Sequence, residues 1–195
     1  MRTDVSMWGT YGDRPEPDHS LDALFGAMRA ERSIDVACTP DRAWDLVASV
    51  ERIGEFSPEC VEARWLDPVA AIGVGARFEG RNRVEPPEGE VAFEWVRPCT
   101  VDVWEPPRRF AWWVGDRYDG SPASWWCFEI AERPDGVRLT QRFRHRPDGL
   151  SGLRGGAEQD PAHATEFVAE RLADLEVAME STLARMKQVL DADAV

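Results

Sequence analysis

The chain has 195 residues, 43% hydrophobic and 30% charged, and a net charge of −13. That length suits one domain, able to bury about 70% of its unfolded surface without a disulfide or metal staple. The composition excludes wholesale disorder, no run of about 18 uncharged apolar residues is present to span a membrane, and the acidity argues against nucleic acid or an anionic membrane surface as partner.

Met1 to Pro17 has no apolar signal core, so a cytoplasmic location is expected, and Gly9, Gly12, Pro15 and Pro17 break regular structure there. Asp18 or Ser20 is placed to cap a short helix running to Arg29, with Leu21, Leu24, Phe25 and Met28 as its apolar stripe. Residues 1–30 therefore read as an N-terminal extension and 31–195 as the domain proper. Cys38, Cys60, Cys99 and Cys127 form no CxxC pair and read as reduced, buried small hydrophobes.

Ser33 to Cys38 alternates as a half-buried strand. Thr39 then offers an N-cap and Pro40 the first helical position, so a helix follows to about Ser49, and a second short one spans Ile53 to Phe56. A run of alternating strands comes next: around Val61–Trp65, Arg77–Val84, Ala92–Glu105 (bent or bulged at Pro98), Arg109–Val114, Trp125–Ala131 and Val137–Arg146. Pro147 to about Gln159 is Gly-rich and reads as a loop. Asp160-Pro161 opens a long helix to about Asp191 with the stripe Val168, Leu172, Leu175, Met179, Leu183, Met186 and Leu190. This order predicts an α+β fold: a curved seven-stranded antiparallel sheet wrapped around the last helix, apolar on its inner face and arginine-rich outside.

A hairpin turning near Asp119-Gly120 sets Trp112 opposite Trp126 and Phe110 opposite Phe128 on the inner face, and Trp113 opposite Trp125 on the outer. The outer pair would form an apolar patch, expected to lie under the stripe Leu21, Leu24, Phe25 and Met28 of the same chain or of a second one. A homodimer is thus one expected arrangement.

Several stretches resemble the START-like or SRPBCC superfamily, and within it the polyketide cyclase/dehydrase-like branch. They are Val36-Ala37-Cys38-Thr39-Pro40-Asp41-Arg42-Ala43-Trp44-Asp45-Leu46-Val47, Phe56-Ser57-Pro58, Gly73-Val74-Gly75-Ala76-Arg77-Phe78, Glu105-Pro106-Pro107-Arg108-Arg109-Phe110-Ala111-Trp112, Gly136-Val137-Arg138-Leu139-Thr140-Gln141 and Thr182-Leu183-Ala184-Arg185-Met186-Lys187. The resemblance runs from about residue 32 to 190. It implies the helix-grip fold and a cavity between sheet and C-terminal helix for a bulky, mostly apolar molecule, polyketide- or lipid-like. It also implies cyclisation or dehydration if the chain is an enzyme, a question it leaves open.

Other chemistries find little footing. Gly73 to Gly80 fits neither nucleotide-loop spacing and leads into a strand, so it reads as a turn. His19, His145 and His163 fall in different elements without a zinc motif, so no metal or other cofactor is expected. The arginines of the outer face have Asp35, Glu62, Glu79 and Glu129 as cross-strand partners and no interleaved aromatics, unlike an RNA-binding sheet. Nine tryptophans against two tyrosines are the distinctive signal. By alternation Trp65, Phe78, Phe110, Trp112, Trp126, Phe128 and Phe143 face inward, opposite Met179, as the walls of a ligand site or as plain core.

Asn82, Gln141 and His145 interrupt that apolar face, and a buried polar group needs a partner. They are the candidate ligand contacts and the candidates for proton transfer, although His145, at a strand end, is expected to be exposed. Because they offer only hydrogen bonds, the expected ligand is neutral and polyoxygenated, unless Arg97 also points inward. The rival reading is a non-enzymatic interaction module with a filled core, docking a partner chain through the N-terminal extension and the outer tryptophans.

Overall fold

The computed structural model describes residues 19–68, 72–84, 92–116 and 118–192. The extension Met1–Pro17, its glycine and proline breakers and the candidate cap Asp18 lie outside the described residues.

Seven strands form one antiparallel sheet: β1 Arg29–Val36, β2 Cys60–Trp65, β3 Arg77–Val84, β4 Phe93–Glu105, β5 Arg109–Gly115, β6 Pro122–Arg133 and β7 Gly136–His145. Their order is β1-β7-β6-β5-β4-β3-β2. Among the described residues five α-helices accompany them: α1 Asp22–Ala27, α2 Pro40–Ala48, α3 Ile53–Phe56, α4 Gly152–Gln159 and α5 Ala164–Ala192. The architecture is α+β, with the sheet curled around α5, as the alternation and the final apolar stripe predict. Among the described residues no helix is long and apolar enough to cross a membrane.

The cap chemistry holds where it was legible. The Thr39 hydroxyl accepts a hydrogen bond from the Arg42 N–H at 3.3 Å, and Pro40 opens α2. The helix buries Ala43, Trp44, Leu46 and Val47 against the sheet. Gly54 lets the single turn α3 lie directly on the backbone of Val61, where a Cβ would collide with the carbonyl. Gly54→Ala is therefore expected to lower stability by about 1–3 kcal/mol, read as a lower urea midpoint at unchanged slope.

The β5–β6 register is the one predicted: Phe110 faces Phe128, Trp112 faces Trp126, and Trp113 faces Trp125. Outside, Arg138 pairs with Asp35 at 2.7 Å, Arg81 with Glu62 at 2.8 Å, Arg64 with Glu79 at 2.6 Å, and Arg142 with Glu31 at 3.1 Å and Glu129 at 3.5 Å. These exposed pairs fix register more than they add stability.

Four expectations are corrected. β1 starts at Arg29, inside the predicted first helix, because α1 ends at Ala27 and the Met28 carbonyl already accepts the His145 N–H. The bulge of β4 falls between Val101 and Val103, while Pro98 stays in register opposite Glu79. The extra residue, Asp102, accepts the Trp125 indole N–H at 2.8 Å, and the shift brings Trp104 into register with Phe110. The segment predicted as a loop after Pro147 contains α4, capped by the Ser151 hydroxyl on the Arg154 N–H and buried through Arg154 and Ala157. Tertiary burial there overrides the helix-weakening glycines. Finally, Leu21, Phe25 and Met28 do not cover Trp113 and Trp125; they pack with Phe143, Ala157, Val168, Leu175 and Met179 in the core.

Candidate ligand-binding interior

The inner face carries two adjoining clusters. In the first, Phe78 from β3, Phe110 and Trp112 from β5 and Phe128 from β6 converge on Leu46, Val50, Ile53 and Phe56, with Thr182 and Met186 of α5 closing the side. Ring centroids lie 5.9 Å apart for Phe78 and Trp112, 4.9 Å for Phe110 and Trp112, and 6.0 Å for Trp112 and Phe128. The space they enclose is about 20 Å³, room for a single water. Its polar side chains, Ser49 and Thr182, donate to carbonyls of their own helical turns, Asp45 at 2.6 Å and Ala178 at 2.8 Å.

The predicted residues divide accordingly. Phe78, Phe110, Trp112 and Phe128 line this cavity. Trp65 packs on the same cluster behind Phe78, its ring 5.3 Å away. Phe143 and Met179 belong to the second cluster, and Trp126 touches both. Asn82 is half-buried opposite Trp95 and donates to the Gly80 carbonyl at 3.3 Å. Arg97 shares the register of Gly80, but its guanidinium turns back to the Val96 carbonyl at 3.0 Å and does not line the cavity.

Gln141 stands in the cross-strand row Arg32–Gln141–Phe128–Phe110. It is 7% exposed, and among the described residues its Oε1 has no hydrogen-bond partner. Arg32, the nearest donor along the row, is engaged by Glu176 at 2.6 Å and Glu180 at 2.7 Å on α5. An unpaired buried acceptor of this kind costs about 1–3 kcal/mol.

His145 is 5% exposed, against the expectation of exposure. α4 and α1 close over the strand end: Nδ1 meets the Arg146 carbonyl at 2.6 Å, Nε2 meets the Ser151 Oγ at 2.8 Å, and the Phe25 ring lies 4.8 Å away. With Nδ1–H donating to the carbonyl, Nε2 accepts from the Ser151 hydroxyl. Burial holds the imidazole neutral, with its pKa pushed down to about 4.

The sequence reading missed Arg154, which is fully buried beside this histidine and bonds Asp22 at 2.8 Å, Glu158 at 2.9 Å and the Pro147 carbonyl. It also missed Trp104, edge-on to Trp44 at 4.9 Å. Thr182 lay within reach of the pattern, one residue off the apolar stripe. The four cysteines are free, and burial raises the thiols of Cys60 and Cys127 to about 11.

This geometry, an aromatic sheet face closed by a long helix, agrees with the sequence relationship. Residues 27–191 match the profile of a family described as polyketide cyclase / dehydrase and lipid transport. The chain belongs to that family. Among solved structures, the Polyketide_cyc-like protein Cgl2372 from Corynebacterium glutamicum is 27% identical, with 86% of this chain and 93% of that one covered at a TM-score of 0.58. Protein NE0264 from Nitrosomonas europaea is 15% identical, with 85% and 96% covered at 0.52. The di-domain ARO/CYC StfQ from the steffimycin biosynthetic pathway is 12% identical, with 86% of this chain and 51% of that one covered at 0.59, so this chain spans about half its length. The last two relationships show the fold alone. No curated protein matches the chain.

Proposed function

We propose that this member of the polyketide cyclase/dehydrase and lipid transport family binds a neutral, polyoxygenated, mostly apolar molecule between the sheet and α5. The observation that carries the reading is the unpartnered Oε1 of Gln141, buried one cross-strand step from the cavity wall at Phe128. A ligand hydroxyl supplies the donor it lacks, and the aromatic walls supply apolar contact at about 25 cal/mol per Å² buried. Binding requires the walls of this cavity to open, because about 20 Å³ holds no such ligand.

Among the described residues no titratable side chain lines the cavity, and His145 is tied on both ring nitrogens. The reading is therefore a carrier, or a chamber that folds its ligand by confinement, with cyclisation assisted by orientation rather than by proton transfer. A reducing cytoplasm suits its four free cysteines. The small volume of this cavity favours the second reading, an interaction module with a filled core.

Calorimetric titration with the neutral flavanone naringenin, a mimic of an aromatic polyketide, separates the two. Binding is expected, and Gln141→Leu should weaken it about five- to tenfold through the lost hydrogen bond. The same substitution should leave stability unchanged or higher, since it removes an unsatisfied buried acceptor. No binding at millimolar naringenin, or equal binding by Gln141→Leu, overturns the ligand reading.

A further inference from the structure

The outer face of the sheet carries a groove of about 630 Å³ floored by Trp113 and Trp125, within the range of about 300–1,000 Å³ common for small-molecule sites. Elsewhere on this face six arginines are neutralised: Arg64, Arg77, Arg81, Arg109, Arg138 and Arg142 each meet a carboxylate within hydrogen-bond distance. Arg144 does not. Among the described residues no carboxylate pairs with it. Its guanidinium lies over two indoles instead, 4.3 Å from the Trp125 centroid and 5.2 Å from that of Trp113. Its cross-strand partner is Arg29, whose side chain donates to the Gly26 carbonyl at 3.2 Å and, among the described residues, also meets no carboxylate.

Like charges directly opposite each other destabilise a sheet. The chain holds 36 acidic residues against 23 basic ones, so acids to separate this pair are not scarce. The two glutamates that reach the groove are engaged elsewhere, Glu31 by Arg142 at 3.1 Å and Glu176 by Arg32 at 2.6 Å. Arg146 adds a third guanidinium, 6.0 Å from the Trp113 centroid and paired with Asp148. Trp125 is itself anchored through its indole N–H on Asp102 at 2.8 Å.

We propose that this groove binds an oxyanion, carboxylate or phosphate, carried on a flat apolar body. The guanidinium lies over the indoles, and with no carboxylate among the described residues to take its N–H groups they can serve two oxygens of a ligand. Arg29 supplies the second positive charge, and the tryptophan rims bury the apolar part. The site stands on the sheet surface opposite the interior cavity and does not depend on the interior binding a ligand.

Calorimetric titration of the full chain with 2-naphthoate, 2-naphthyl phosphate, neutral 2-naphthol and inorganic phosphate tests it. At least one naphthyl anion should bind, and which one does so identifies the oxyanion. Arg144→Gln should weaken that binding by about tenfold or more, and Arg144→Lys by a smaller factor, because it keeps the charge and loses the fork. Arg81→Gln, on the same face but outside the groove, and Gln141→Leu, in the interior, should leave the affinity unchanged; cooperative thermal unfolding verifies that the variants fold. The proposal fails if neither naphthyl anion binds at millimolar concentration, if 2-naphthol binds as tightly, if inorganic phosphate matches the naphthyl anions, or if Arg144→Gln binds like the parent.

Discussion

Replacing Arg154 with leucine lowers the stability of the fold by about 3 kcal/mol, the low end of the loss expected when one member of a buried ion pair is removed. The guanidinium has no solvent exposure, whereas its carboxylate partners Asp22 and Glu158 retain 30% and 23%. Those acids recover part of their hydration once the arginine is gone, which sets the loss below the upper end of the range. Arg154 also lies 5.4 Å over the Phe25 ring, so one side chain ties α1, the turn after β7 and α4 together. Arg154→Lys should recover a fraction of the loss, since an ammonium lacks the planar fork that reaches three acceptors. Urea denaturation measures the total, and amide exchange in α1 and α4 should rise before that of the central strands. A loss under about 1 kcal/mol would show that the network is dispensable.

Acidification acts through His145. The folded protein excludes a proton that the unfolded chain accepts, since burial moves the imidazole from 6.5 to about 4. Its contribution is thus fully present above pH 6.5 and is lost as pH falls from there towards about 4. The shift corresponds to about 3 kcal/mol. His145→Gln should start less stable at neutral pH, having lost the histidine's packing against Phe25, and its deficit relative to the parent should shrink steadily between pH 6.5 and 4. Parallel stability profiles for parent and variant across that interval would contradict the assignment.

Much of the sheet was legible because strand alternation is a local signal. The doublets Phe110/Trp112 and Trp126/Phe128, with a turn between them, determine register and face together, and the structure has that register. The ion pairs of the outer face follow from the same alternation. What escaped depends on distant chain. His145 looked exposed at a strand end because α4, which covers it, was hidden behind Gly152, Gly155 and Gly156. Arg154 draws on Asp22, 132 residues away, and no local pattern marks a buried arginine. Asp102 reads as an ordinary outward residue until Trp125, two strands away, supplies the indole proton that it accepts in the bulge. At the site, alternation grouped every inward aromatic into one surface. Packing divided them, setting Phe78, Phe110, Trp112 and Phe128 around the cavity and Phe143 beside Met179 of α5 in the neighbouring cluster.

Methyl resonances of the methionines report whether a ligand enters between sheet and α5. Met186 lines the cavity, Met179 lies further along α5 in the adjoining cluster, and Met28 sits in the part of that cluster built from α1. Titration of methyl-labelled protein with naringenin should shift the Met186 signal most and Met179 next, with Met28 nearly unmoved and the pattern lost in Gln141→Leu. Saturating naringenin that leaves Met186 and Met179 where they were would contradict a ligand-binding interior.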